Sequence, residues 1–184
     1  MPSLDVKAIR ILLVDGHTMV RAAFRMLLES QPGVAVVGEA SGPEEALAAV
    51  IRERPDIVLL DLDLGNANGL DFLPQLHAAA PTIHVVVLTG VHDVEMHRRA
   101  VRLGAVGLVH KEESAGRLLE AIAKVYAGEV WLDSLLVASV LSEMTRSRTS
   151  QPVDPEELKI KALTARERQI IKLVGQGMKN RAIA

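Results

Sequence analysis

The sequence predicts an α/β fold, a doubly wound parallel sheet with a smaller helical segment after it, and three observations predict it. Five short runs rich in Val, Ile and Leu recur between residues 10 and 111. The segments between them carry apolar residues at helical spacing. Polar residues collect where the runs end rather than inside them. Alternation of strand and helix implies helices on both faces of a parallel sheet, and such a sheet places its functional site at the carboxyl ends of its central strands.

The first run, RILLVD (10–15), is almost continuous in branched aliphatics, as a strand covered on both faces requires. Val20, Phe24 and Leu27 then mark a helix. VAVVGEA (34–40) weakens toward its end and reads as an edge strand. Gly42 and Pro43 start the second helix, whose apolar positions are Leu47, Val50 and Ile51. DIVLLD (56–61) is the third strand; Gly65, Asn66, Asn68 and Gly69 form the loop after it, and Leu70, Leu73 and Leu76 line a third helix. HVVVLT (84–89) is the fourth strand, Asp93 starts the helix that follows, and VGLVHK (106–111) is the fifth strand. A helix with Leu118, Ile122 and Val125 runs from about Ser114 to Ala127.

Beyond Trp131, SLLVASVLSEM (134–144) reads as one amphipathic helix, and TRSRTSQPVDPEE (145–157), rich in Ser, Thr and Pro without apolar periodicity, reads as a linker. LTARERQIIKLVGQG (163–177) opens a new helix, with Thr164 as N-cap, Glu167 completing a capping box, and Gly175 or Gly177 as the stop. The expected domains are therefore residues 1–128, a linker helix and flexible linker over 129–158, and the start of a helical domain over 159–184.

Composition narrows the function. A chain of 184 residues that is 49% hydrophobic can bury a substantial core. No apolar run approaches the roughly 18 residues of a membrane span. Asp5, Lys7 and Arg10 interrupt the stretch a secretory signal would need, so a cytoplasmic protein with no membrane partner is expected. The absence of cysteine removes disulfides, thiolate metal sites and cysteine nucleophiles. With only Phe24, Phe72, Tyr126 and Trp131 as aromatics, no base-stacking platform is available. Residues 1–143 are acidic, with twelve Lys and Arg against nineteen Asp and Glu, whereas residues 159–184 set seven basic side chains against Glu167 alone. An acidic first part suits a cation or a basic protein surface; a basic second part suits phosphate backbones.

Asp15, Asp61, Thr89 and Lys111 each terminate an apolar run. Asp61 leaves its strand onto a Gly- and Asn-rich loop, so its carboxylate is expected to be exposed and able to act as a nucleophile toward a phosphoryl donor. Such a reaction forms an acyl phosphate and needs a divalent cation to suppress charge repulsion, with donors for the phosphoryl oxygens. Asp15 supplies cation binding, Lys111 a point charge, and Thr89 a hydroxyl that can follow the phosphoryl group. Magnesium is the expected ion, because one or two carboxylates, waters and substrate phosphate hold it. The six histidines, His17, His77, His84, His92, His97 and His110, read as surface or loop residues rather than as ligands.

The ordered motifs ILLVDGH, PDIVLLDLDL…G, VVVLTG and GLVHK resemble the receiver domain of the response-regulator superfamily over roughly residues 8–128. LTARERQIIKLVGQGMKNRAIA resembles the first part of a LuxR-type helix-turn-helix, so the whole chain resembles the NarL/FixJ subfamily. The resemblance implies a flavodoxin-like sheet of order 2-1-3-4-5 and a DNA-binding transcriptional regulator rather than an enzyme. It implies that Asp61 takes phosphate from a sensor histidine kinase, that Thr89 and Lys111 complete the switch, and that Asp63 joins Asp15 and Asp61 at the magnesium through its backbone carbonyl. It also implies a homodimer on duplex promoter DNA, with the face around residues 93–103 and the last strand as the dimer surface. Arg166, Arg168, Lys172, Lys179 and Arg181 would lie near DNA phosphates, while the recognition helix would lie beyond residue 184.

Three positions depart from the family pattern. Gly16 stands where a second consecutive acid is usual, which weakens the expected magnesium site, with the Asp63 side chain as a candidate replacement. Leu108 stands in place of a switching aromatic, and Gly65-Asn66 in place of Pro-Gly. Gly16 keeps a second function open, a degenerate receiver acting as a phosphorylation-independent dimerisation module. Asp61-Leu62-Asp63 is also the D-x-D of haloacid-dehalogenase-like phosphatases, although these place the nucleophile first in the fold, and here Asp15 precedes it.

Overall fold

The computed structural model of the chain describes residues 7–65 and 67–149. Expectations placed on Asn66 and on the LuxR-like segment with Arg166, Arg168, Lys172, Lys179 and Arg181 lie outside the described residues. Five strands form: β1 (Ile9–Val14), β2 (Val34–Ala40), β3 (Ile57–Asp61), β4 (His84–Thr89) and β5 (Ala105–His110). They alternate with α1 (Thr18–Glu29), α2 (Pro43–Glu53), α3 (Gly69–Ala79), α4 (Val94–Arg102) and α5 (Ala115–Tyr126), and α6 (Ser134–Thr149) follows. All neighbours pair in parallel, in the order β2-β1-β3-β4-β5, as the sequence predicts.

Successive strand residues point to opposite faces, and the core divides accordingly. Leu12, Val14, Val58, Leu60, Val85 and Val87 face α2, α3 and α4, meeting Ala46, Ala49, Leu70, Leu73, Leu76 and Ala100. Ile11, Leu13, Ile57, Leu59, Val86 and Leu88 face α1 and α5, meeting Leu28, Leu118, Ala121, Ile122 and Val125. Burying both faces explains why β3 is apolar throughout, whereas β2, at the edge, is mostly half-buried. On α2 the inward set is Ala46, Ala49 and Val50, and Ile51 points outward.

Helix starts follow the sequence signals. Gly42 precedes Pro43 at the first turn of α2, and the Asp93 side chain accepts hydrogen bonds from the N–H groups of Glu95 and Met96 at α4. The last helix differs from expectation: α6 continues through Thr149, into the stretch read as linker. Arg is a good helix former, and neither Gly nor Pro occurs between Ser134 and Pro152 to stop it.

The edge of β5 is covered by the chain that follows α5. Trp131 donates its N–H to Val106 O at 2.9 Å and accepts from Leu108 N at 2.9 Å, adding one parallel bridge to the sheet. The guanidinium of Arg117 and the ammonium of Lys124 lie 4.6 and 5.2 Å from the centre of its ring. Beyond it, Leu136 and Val140 of α6 are buried in the cluster that holds Ala100, Ala105 and Leu108, and Val140 ends the first compact unit of the chain. The face expected to carry a dimer contact is thus partly occupied by the protein's own chain.

Gly69, at the start of α3, is a close approach that only glycine permits: a Cβ there would lie 2.5 Å from Asp61 O and 2.9 Å from Leu62 Cα. Both obstacles are backbone and cannot rotate away. Gly69→Ala is expected to destabilise the protein by about 1–3 kcal/mol in urea unfolding. Gly90→Ala, where a Cβ meets nothing within 4 Å, is expected to leave the midpoint within about 0.5 kcal/mol.

Candidate functional site

Parallel register brings the strand ends to one edge. Val14 pairs with Leu60, Asp61 with Leu88 and Thr89 with His110, so Asp15, Asp61, Thr89 and Lys111 emerge side by side at the carboxyl end of the sheet. Lys111 is held there by its N–H, which donates to Thr89 O at 2.9 Å. Its ammonium reaches across β4 to Asp15 Oδ2 at 2.7 Å and Asp61 Oδ2 at 2.6 Å.

Contrary to the expectation of an exposed carboxylate, Asp61 is only 2% exposed. The loop after β3 does not leave it open, because Lys111 covers Oδ2 and the N–H of Asp63 donates to Oδ1 at 3.1 Å. Burial raises the Asp61 pKa above the ordinary aspartate value; the hydrogen bonds from Lys111 and Asp63 oppose that rise, and the charge of Asp15 adds to it. Burial also works to lower the pKa of Lys111, but hydrogen bonds to Asp15 and Asp61 outweigh it and hold the ammonium above its ordinary value. The site is a buried anion pair bridged by one cation.

Thr89 is fully buried, and its hydroxyl is turned into its own loop, accepting from Val91 N at 3.0 Å. Val91 O in turn lies 2.8 Å from His97 Nε2 on α4. The Asp63 side chain, the candidate replacement for the missing acid, instead accepts from Gly65 N at 3.0 Å within its own loop.

Gly16 is more than a missing charge. A Cβ at this position would lie 3.2 Å from Leu64 C and 3.3 Å from Leu64 O, so the loop after β3 closes over the room a side chain would occupy.

Two histidine groupings escaped the sequence reading. His17 Nδ1 lies 3.1 Å from Asp15 Oδ1 and 3.9 Å from Asp61 Oδ2. Asp15, His17 and Asp61 together form a donor set that could hold a metal ion, their ligand atoms all within 4.8 Å of one another. The signal was its place two residues after Asp15, where the chain turns back over the strand end. His97 is buried, and its ring meets that of His110 at 5.3 Å, while His92 stacks on His110 at 4.6 Å. These three come from the loop before α4, from α4 itself and from the end of β5, a proximity visible only after folding. Burial, together with the nearby His92 and His97, lowers the His110 pKa despite Glu113 and Glu112, and His110 Nδ1 is buried without a hydrogen-bond partner among the described residues.

Comparison with known proteins places this arrangement. The response regulator receiver domain family matches residues 11–123. The nitrate/nitrite response regulator protein NarL of Escherichia coli (strain K12) is 33% identical over 174 residues, 95% of this chain and 78% of that protein. The DNA-binding transcriptional activator DevR/DosR of Mycobacterium tuberculosis is 32% identical over 176 residues, 96% of this chain and 78% of that protein. Among solved structures, a LuxR-family two-component response regulator from Aurantimonas is similar with a TM-score of 0.67 at 30% identity, covering 75% of this chain and 99% of that one.

Two measurements follow from the site's electrostatics. Lys111→Met leaves two buried carboxylates without their cation, and in chelator at neutral pH it is expected to cost about 3 kcal/mol in urea unfolding. Because the folded state holds the His110 pKa below its unfolded value, the unfolded chain binds more protons near that value, and stability is lost as pH falls below about 6.5. His110→Gln is expected to flatten that loss in melting curves between about pH 7.5 and 5.5.

Proposed function

Because the chain belongs to the response regulator receiver domain family, we propose that Asp61 is its phospho-acceptor and that the protein is a two-component, DNA-binding regulator of transcription switched at that residue. Its relatives are response regulators and a transcriptional activator rather than enzymes, which displaces the haloacid-dehalogenase reading. The observation that supports the acceptor assignment best is the contact of Lys111 Nζ with both Asp61 and Asp15 at the carboxyl end of the central strands.

In this reading a phosphohistidine of a sensor histidine kinase is the donor. A P–O bond forms to Asp61, the P–N bond breaks, and the departing imidazole keeps the electron pair and takes up a proton. Lys111 is placed to pass from the Asp61 carboxylate to an oxygen of the new phosphoryl group. A Thr89 hydroxyl that turns toward that group moves the oxygen that Val91 N–H is bonded to, so phosphorylation would pull on the loop that His97 ties to α4. Magnesium is the family's expected ion; Asp15, Asp61 and the Asp63 carbonyl would hold it, and when bound it screens the repulsion between carboxylate and phosphoryl oxygens. Gly16 removes one charge from that set. A unit charge about 4 Å from a cation is worth roughly 4 kcal/mol at an effective dielectric of 20, before desolvation offsets part of it. A degenerate, phosphorylation-independent receiver is the reading that remains if this loss is complete.

Residues 1–128 are assigned to the receiver, 129–158 to the linker and 159–184 to the beginning of a LuxR-type helix-turn-helix. Arg166, Arg168, Lys172, Lys179 and Arg181 would contact phosphates of duplex promoter DNA, a sequence-independent, salt-sensitive attraction. A homodimer would match two half-sites. No helix among the described residues is long and apolar enough to cross a membrane, in keeping with a cytoplasmic regulator.

Intact-mass measurement after acetyl phosphate treatment, across a magnesium series, tests the acceptor. The wild-type chain is expected to gain one phosphoryl group and Asp61→Asn none. Gly16→Asp is expected to lower the magnesium midpoint about tenfold, provided Leu64 yields by a few tenths of an ångström. No labelling at any magnesium concentration, or labelling that survives Asp61→Asn, overturns the proposal.

A further inference from the structure

We infer that His17 supplies the third protein donor of the cation site in place of the acid missing at position 16, and that the site therefore prefers a first-row transition-metal ion to magnesium. The inference rests on the receiver reading, which gives this site its ion, and goes beyond it by naming a ligand and a class of metal.

Geometry makes His17 a ligand candidate. Its backbone N–H donates to Asp15 Oδ1 at 2.7 Å, a local turn that brings its ring back over the same carboxylate, with Nδ1 3.1 Å from Oδ1. Ions of this class bind N and O donors at about 2.0–2.2 Å, so two ligand atoms of one ion stand about 3 Å apart when adjacent and no more than about 4.4 Å when opposite. The separations of 3.1 and 3.9 Å from His17 Nδ1 to Asp15 Oδ1 and Asp61 Oδ2 fall inside that window.

The residue's place in the chain frees it for the task. His17 is the N-cap of α1, a position where side chains commonly accept from the first N–H groups, yet its side chain makes no cap hydrogen bond. Its ring is turned to the carboxylates and is 58% exposed, which leaves a path for an ion to enter and exchange. Gly16 offers no side-chain donor, and the Leu64 backbone packs close against the position, 3.2 Å from where a Cβ would stand. Asp63 does not compete with its side chain, which Gly65 N engages.

Chemistry sets the preference. Magnesium is a hard ion that selects oxygen donors and sheds its waters reluctantly, whereas imidazole nitrogen suits the later first-row ions, for which affinity rises along the Irving–Williams series. Two carboxylates and one imidazole make a mixed N,O set. Exchanging a carboxylate for a neutral imidazole also lowers the negative charge on which magnesium binding depends most.

Titration calorimetry of the full chain with magnesium chloride and cobalt chloride, joined to pulsed electron paramagnetic resonance of bound manganese as a spectroscopic probe, tests this. Cobalt is expected to bind at least about tenfold more tightly than magnesium, and bound manganese to show nitrogen coupling from a directly bound imidazole. His17→Gln is expected to remove that coupling and weaken cobalt about tenfold, with little change for magnesium. His17→Asp, which restores a carboxylate, is expected to return the preference toward magnesium; circular dichroism confirms that both variants are folded. Manganese bound without nitrogen coupling, or coupling that persists in His17→Gln, overturns the inference. Absence of phosphoryl labelling with the site saturated by either ion would instead overturn the acceptor assignment, leaving the ligand assignment to stand on the spectra.

Discussion

A single ammonium between two buried carboxylates is the contact on which the rest of this site depends. Asp15 and Asp61 are adjacent because β1 and β3 are adjacent in a parallel sheet, and neither can turn to water. Lys111 Nζ bridges them from the far side of β4. Removing a partner from such a pair costs more than the pair itself contributes, since it strands a charge in a medium that solvates it poorly. The same poverty of solvation keeps the Asp61 carboxylate responsive to whatever cation approaches it. The stability of the strand ends and the charge state of the Asp61 carboxylate thus draw on one interaction, that of Lys111 with both aspartates.

Around that contact the loops pack closely. Where an acid would project, the backbone of Leu64 closes in on Gly16, and the next residue, His17 at the N-cap of α1, reaches the carboxylates instead. Gly69 allows the start of α3 to come almost into contact with Asp61 O, so the β3–α3 loop is folded tightly against the strand end on both sides. These are packing consequences of glycine at two positions, and they bear directly on which ligands the site can offer.

The far side of the site is wired differently. Leu108 sits where an aromatic would rotate, and it is buried with Leu136 and Val140 of the segment that covers β5. A side chain locked beneath its own chain cannot swing between core and surface. What links the Thr89 loop to α4 instead is a polar relay, from Thr89 Oγ1 through the Val91 peptide to His97, beside His110 and His92. Histidines in that position bring proton-binding groups next to the loop that carries Thr89.

The doubly wound fold, the strand order and the four polar strand ends were legible in the sequence because each rests on local pattern: near-continuous aliphatic runs, helical spacing between them, and a charge or hydroxyl where each run stops. Period and punctuation survive in one dimension. What the pattern could not decide was orientation and distance. It put Asp61 in the open, because a Gly- and Asn-rich loop reads as exposed, whereas Lys111, fifty residues away, covers it. Histidines that looked scattered meet in space because one precedes α4, one lies on α4 and one ends β5, and the packing of α4 against the sheet brings them together. Trp131 closing the β5 edge, and Leu136 and Val140 packing beside Leu108, likewise depend on an unpaired strand edge and an uncovered apolar face. Those exist only once the sheet is assembled, so local sequence determined the elements and their chemistry, and tertiary packing decided which groups face one another and which are shut away from water.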